Sequence, residues 1–61
     1  MLVVTRREQE TVIITTADGT QIRIIVADIY GGKVRLAFDA PQSVTIDRLE
    51  VHESKMSGGK L

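Results

Sequence analysis

Residues 31–51 read GGKVRLAFDAPQSVTIDRLEV, and this stretch decides the fold. It contains two apolar runs, residues 33–38 and 44–51, on either side of a short segment that includes Pro41. Proline has no backbone N–H, so this segment cannot continue a β-ladder. The stretch therefore predicts two strands separated by a fixed corner.

Three further strands are predicted upstream of this stretch. Residues 2–7 and 11–16 are rich in β-branched side chains and show no helical periodicity. In residues 21–29, apolar side chains recur at every second position, as expected when one face of a strand is buried. An Asp-Gly pair at 18–19 and a Gly-Gly pair at 31–32 suit the positive φ angles of tight hairpins.

The chain is thus predicted to be an all-β protein of five short antiparallel strands. Residues 1–53 are expected to form this single domain, with at most a short helical turn after Val51. Residues 54–61 are polar or glycine-rich and show no pattern, so a flexible tail is expected there.

Sixty-one residues bury too little surface to be comfortably stable alone. There is no cysteine for a disulfide, and the single histidine, His52, has no thiolate partners for a zinc site. The remaining way to enlarge the core is a second copy of the chain, which would also cover exposed strand edges. A homodimer is therefore expected.

Catalysis is not expected from these residues. No serine has a nearby base in a known motif, and the paired acids Glu8 and Glu10 are interpreted as solvated charges. No cofactor or metal is expected either. The short apolar start before Arg6 is unlike a signal peptide, and no run is long enough to span a membrane, so a cytoplasmic protein is predicted.

Binding of nucleic acid would have to depend on local charge, because eight basic residues balance eight acidic ones. Tyr30 and Phe38 are the only aromatic residues, too few for a base-stacking platform. Recognition would then use arginine side chains, whose forked donors match the acceptor edge of guanine and also phosphate.

Two aliphatic and arginine pairs have the spacing for such a surface. Val4 and Arg6 share one face of the first predicted strand, and Ile46 and Arg48 share one face of the fifth. Side by side, the two strands would form one positive surface with an apolar floor. The same alternation is also typical of any half-buried strand whose arginine stems cover the edge of a core, and periodicity alone favours this plainer interpretation.

The sequence resembles the carbon storage regulator (CsrA/RsmA) family over residues 1–51. The resemblance rests on the opening MLVVTRR, Glu10-Thr11, Gly31, Val34-Arg35, Ala40-Pro41, Val44, Ile46, Arg48 and Glu50-Val51. It implies an interleaved homodimer that binds GGA-containing hairpin loops of messenger RNA near ribosome-binding sites and so regulates translation. Small RNAs and a protein antagonist are further partners that it suggests. The RNA-binding positions that it implies are Val4, Thr5, Arg6, Arg7, Ala40, Pro41, Ile46 and Arg48.

The chain also departs from the family pattern. Gln9 and Ala37 stand where glycines are common, the hairpin at residues 15–21 is longer, and the C-terminal helix is reduced. Asp47 and Leu49 replace the usual neighbours of the last arginine, and the acid is expected to weaken the local positive potential. These departures would alter the affinity for RNA or the RNA sequence that is preferred.

Two other classes of function stay open. One is a dimeric adaptor that keeps the fold but binds a protein, with the long hairpin as its contact. The other is a structural module without its own ligand. The salt dependence of binding would distinguish the adaptor from an RNA-binding protein. Phosphate contacts make the affinity for RNA fall steeply as salt rises, whereas a protein interface at this net charge should respond weakly.

Overall fold

The computed structural model describes residues 1–56 as a three-stranded antiparallel sheet followed by one helix. The strands are β1 (Thr11–Thr15), β2 (Gln21–Tyr30) and β3 (Lys33–Asp39), in the order β1-β2-β3. The helix, α1, spans Leu49–Met56. No helix in this part of the chain is long and apolar enough to cross a membrane.

The three central strands agree with the sequence prediction to within one residue at each end. Tyr30 pairs with Lys33, so Gly31 and Gly32 form a two-residue hairpin loop, with φ angles of 57° and 75°. Both angles lie in the left-handed region that this tight turn requires and that glycine adopts without strain. The predicted Gly-Gly hairpin is therefore confirmed.

The first hairpin is wider than a two-residue turn. Its last strand pair is Thr15 with Gln21, and the backbone N–H of Thr16 donates to the carbonyl of Thr20 at 2.9 Å. The Asp18 carboxylate accepts hydrogen bonds from the Thr16 hydroxyl and the Thr20 backbone N–H, which lower its pKa. Asp18 is therefore ionised at neutral pH and organises the loop.

One side of the sheet is entirely apolar. Register places nine side chains on this apolar face: Val12, Ile14, Ile22, Ile24, Val26, Ile29, Val34, Leu36 and Phe38. Among the described residues only Val26 is a buried apolar residue, at 8% exposure, while Leu36 and Phe38 remain 49% and 45% exposed. A single chain therefore has a formed sheet but almost no core.

The predicted first and fifth strands are not strands within one chain. Within residues 1–56, the segment 2–7 has no sheet partner and residues 45–48 are irregular, because a strand needs a neighbouring edge to bond with. The prediction was wrong for residues 49–51, which begin α1. The helix runs for eight residues rather than one turn and extends through Met56, so the predicted tail boundary after residue 53 falls inside it. Residues 57–61 lie outside the described part.

The turn at residues 8–10 is attached to an irregularity in β2. The register shifts between Val26 and Asp28, and Gln9 binds there through both its backbone and its side-chain amide. Its backbone N–H donates to the Val26 carbonyl at 2.7 Å, and its Nε2 donates to the Ala27 carbonyl at 2.8 Å. The Glu8 carboxylate accepts from the backbone N–H of Ile29 at 2.8 Å. These bonds hold the turn at residues 8–10 against the sheet.

Gln9 itself has a φ of 70°, which explains why a glycine suits this position. We expect the Gln9→Gly protein to be more stable than the Gln9→Ala protein by about 1 kcal/mol. Both variants lose the bond from Nε2 to Ala27, but only glycine removes the left-handed strain. Urea unfolding at one fixed chain concentration measures the difference, and a more stable alanine variant would contradict this account of Gln9.

Candidate functional site

The first segment, residues 1–7, has no regular secondary structure and is exposed. Val4 is 55% exposed, and the Thr5 carbonyl accepts a hydrogen bond from Nε of Arg6 at 2.9 Å. An exposed segment outside the sheet leaves its backbone groups and its side chains open to a partner. Such a segment can become a strand when it pairs with an edge outside its own chain.

Glu10 holds the end of this segment. Its Oε1 accepts a hydrogen bond from the backbone N–H of Arg7 at 2.9 Å and lies 3.3 Å from Nη2 of Arg6. The backbone N–H of Glu10 in turn donates to the Arg7 carbonyl at 3.1 Å. These bonds orient Arg6 while leaving its side chain 42% exposed.

The second part of the candidate site follows the proline corner. The backbone N–H of Val44 donates to the Pro41 carbonyl at 3.0 Å, which fixes the turn, and Ala40 is half-buried beside it. Beyond the corner, Ile46 and Arg48 border an open cleft of about 520 Å³. Three side chains of the apolar face, Val34, Leu36 and Phe38, form its other wall.

Arg48 is highly accessible, with 81% of its side chain exposed. It directly precedes α1, and its carbonyl accepts the hydrogen bond from His52 N–H at 3.0 Å. Its Nε lies 3.7 Å from Oε2 of Glu50. The backbone of Arg48 is thus anchored by the helix, whereas its guanidinium is available to a ligand.

Asp47, the acid beside Arg48, lines the same cleft and is paired with a lysine of α1. Its carboxylate accepts bonds from Nζ of Lys55 at 3.1 and 3.2 Å, and only 15% of its side chain is exposed. A paired and largely covered carboxylate has its charge offset locally. The ion pair also ties the last turn of α1 to the segment that carries Arg48.

One chain does not assemble the whole predicted surface. Ile46 and Arg48 lie beside the apolar face next to the corner of Ala40 and Pro41, but Val4, Thr5, Arg6 and Arg7 belong to the separate first segment. Within residues 1–56, no hydrogen bond or ion pair joins residues 1–7 to residues 44–48. The two halves would meet only if another chain supplied one of them.

The sequence interpretation missed the role of the glutamates. Glu8 and Glu10, interpreted there as solvated charges, accept bonds from backbone groups, and Glu10 and Glu50 each pair with a candidate arginine. The four-residue separation of Arg6 and Glu10 was a usable signal for one of these pairs. In the described part of the chain, no three side chains of the metal-binding types come together. The exposed arginine side chains of the candidate site can donate to forked acceptors such as a carboxylate, a phosphate or guanine.

Comparison with known proteins agrees with the resemblance seen in the sequence. Residues 1–57 match the model of the CsrA family, described as a global regulator protein family. A translational regulator CsrA from Rhodopirellula baltica is 39% identical over 54 residues, covering 88% of this chain and 71% of the relative. One from Geotalea uraniireducens is 46% identical over 52 residues, with coverages of 85% and 61%. One from Clostridium botulinum is 38% identical over 60 residues, with coverages of 98% and 78%. No solved structure gives a significant match.

Proposed function

The chain belongs to the CsrA family of global regulators, and we propose that it regulates translation by binding messenger RNA at GGA-containing hairpin loops. Each binding site would combine Val4, Thr5, Arg6 and Arg7 of one chain with Ala40, Pro41, Ile46 and Arg48 of its partner. Two equivalent sites follow from the twofold symmetry of a homodimer. Family membership supports the class of function, and the following features support the site.

One observation carries the proposal. Arg48 presents an exposed guanidinium beside Ile46 at the rim of the apolar cleft, on backbone anchored by α1. Guanine offers two acceptors, O6 and N7, which a guanidinium binds with two parallel donors. An aliphatic side chain next to it can support the face of an unpaired base. The geometry therefore suits a guanine in a loop better than a regular duplex, whose deep, narrow groove excludes side chains.

The uncovered apolar face supports the dimer. Nine apolar side chains on one face of a sheet, with one of them buried, are unusual for a chain that acts alone. β3 also has an unpaired edge, since β2 is its only neighbour in the sheet of the described chain. We propose that residues 2–7 of the partner enter as an additional strand beside residues 44–48. This exchange covers the apolar face and brings Arg6 next to Arg48.

The experiment that tests the function is a titration of the protein with a short RNA hairpin that carries GGA in its loop. The same hairpin with the triplet changed is the control. We expect at least about tenfold tighter binding to the GGA hairpin, corresponding to one good arginine contact with guanine. Affinity for both RNAs should fall as salt rises, since phosphate contacts release counterions.

Equal binding to the two hairpins would reject sequence recognition. A folded dimer that binds neither RNA would reject the proposed function and favour the adaptor that binds a protein. Small RNAs that display several GGA loops would compete with messenger RNA for the same two sites, and adding one to the titration tests this directly.

A further inference from the structure

Each candidate RNA-binding arginine that makes an ion pair does so with a glutamate of its own chain. Nη2 of Arg6 lies 3.3 Å from Oε1 of Glu10, and Nε of Arg48 lies 3.7 Å from Oε2 of Glu50. The glutamate side chains are 40% and 69% exposed. Both pairs therefore lie at the surface, where a ligand can reach them and water weakens the attraction.

Other acids near the site are occupied differently. Asp47 is bound by Lys55, and Glu8 accepts from the backbone N–H of Ile29. Neither forms an ion pair with Arg6 or Arg48. Glu10 and Glu50 are thus distinguished from their neighbours by the partner that each one binds.

A carboxylate presents two oxygens to a guanidinium in the same forked manner as a phosphate or the O6/N7 edge of guanine. In the free protein each glutamate makes one ion-pair contact with a guanidinium, through Nη2 of Arg6 and Nε of Arg48. These guanidinium groups are the ones that RNA would need. RNA must displace the glutamate or tolerate its charge nearby. Displacement lowers the apparent affinity of the protein for RNA, because only the fraction of protein with a free arginine is ready to bind. A carboxylate that stays in place lowers this affinity by repelling the phosphates.

We propose that Glu10 and Glu50 are built-in competitors that limit RNA binding at the arginines they pair with. This inference rests on the proposed function and adds to it two residues that set affinity. The protein has no net charge overall, with eight acidic and eight basic residues. Its affinity for RNA therefore depends on these local pairs, and neutralising one glutamate should have an effect well beyond the change in total charge.

The test uses the Glu10→Gln and Glu50→Gln variants of the full chain, titrated with the GGA hairpin at low and high salt. Glutamine keeps the shape of the side chain and one acceptor oxygen, so the bond from Arg7 N–H can persist while the charge is lost. We expect each variant to bind about 2- to 5-fold more tightly than the wild type at low salt. The gain should shrink at high salt, because exposed pairs are screened.

Glu8→Gln is the matched control. It removes the same charge from the same turn, but its partner is the backbone N–H of Ile29 rather than an arginine. We expect its RNA affinity to stay within about twofold of the wild type. An equal gain in all three variants would show a general charge effect and overturn the proposal.

The remaining outcomes separate this inference from the function beneath it. If the wild type prefers the GGA hairpin and the two variants bind it equally or more weakly, the glutamates position the arginines instead, and the competition is rejected alone. If neither the wild type nor the variants bind RNA, the proposed function fails and the competition fails with it. Thermal unfolding of each variant confirms that the compared proteins are folded.

Discussion

Replacing Arg48 by alanine is expected to weaken binding of the GGA hairpin about 10- to 100-fold while the protein remains a folded dimer. A bidentate contact between arginine and guanine contributes about 1–3 kcal/mol of discrimination, which corresponds to this range. The side chain is 81% exposed and makes only a surface ion pair with Glu50, so its removal opens no cavity. A titration of RNA, together with size-exclusion chromatography, measures both parts of the prediction.

Arg23→Ala is the control for this substitution. Arg23 is another exposed arginine, located in β2 opposite Ile13 and Asp39 and away from the apolar face. Its loss removes the same charge without touching the candidate surface, so affinity should change by no more than a few fold. Unchanged affinity in Arg48→Ala, or an equal loss in Arg23→Ala, would reject the assignment of Arg48 to the RNA site.

Placing an aspartate at position 36 is expected to abolish the dimer. Leu36 lies on the apolar face and is 49% exposed in the single chain, so a lone chain would tolerate the change. In the proposed dimer this position is buried in both chains, so the substitution places two aspartates in the core. An unpaired buried charge costs several kcal/mol. A domain of this size has a total stability of only about 3–9 kcal/mol. Leu36→Asp should therefore be monomeric or unfolded at about 10 μM, as sedimentation and circular dichroism can show.

Ile13→Asp is a closely matched comparison. Ile13 is 47% exposed, against 49% for Leu36, but it points to the opposite side of the sheet, opposite Arg23. We expect the Ile13→Asp protein to remain a dimer with a modest loss of stability, about 1 kcal/mol or less. If Ile13→Asp dissociates and Leu36→Asp does not, the dimer is formed through the other side of the sheet, and the proposed strand exchange over the apolar face is wrong.

The central part of the fold could be predicted because its signals are local. The alternation of side chains identified β2 and β3, the β-branched composition identified β1, and the pair at Gly31 and Gly32 identified the tightest turn. Strands joined by short loops pair with their neighbours in sequence, so their partner is known once the turn is known. The grouping of Val34, Leu36 and Phe38 on one face followed from the same period of two.

The structure of residues 2–7 and 44–51 was less predictable, because it depends on contacts that are not local in the sequence. Residues 2–7 have the composition of a strand, yet none of the strands that the structure describes pairs with them. In residues 44–51 the apolar pattern favoured one continuous strand, but the backbone becomes helical at Leu49, where eight consecutive residues without glycine or proline allow i to i+4 bonding. β propensity depends on having a neighbouring edge, whereas a helix satisfies its own backbone.

For the candidate site, the sequence by itself supplied the list of residues expected to form it, and that list stays a prediction. The arginines, their aliphatic neighbours and the proline corner are all recognisable from residue type, spacing and family resemblance. The tertiary structure decided what each charge contacts: Glu10 with Arg6, Glu50 with Arg48, and Lys55 with Asp47. The pair of Arg6 and Glu10 has a local signal in its four-residue spacing. The pair of Asp47 and Lys55 depends instead on how the segment before α1 approaches the last turn of that helix, which side-chain alternation does not encode.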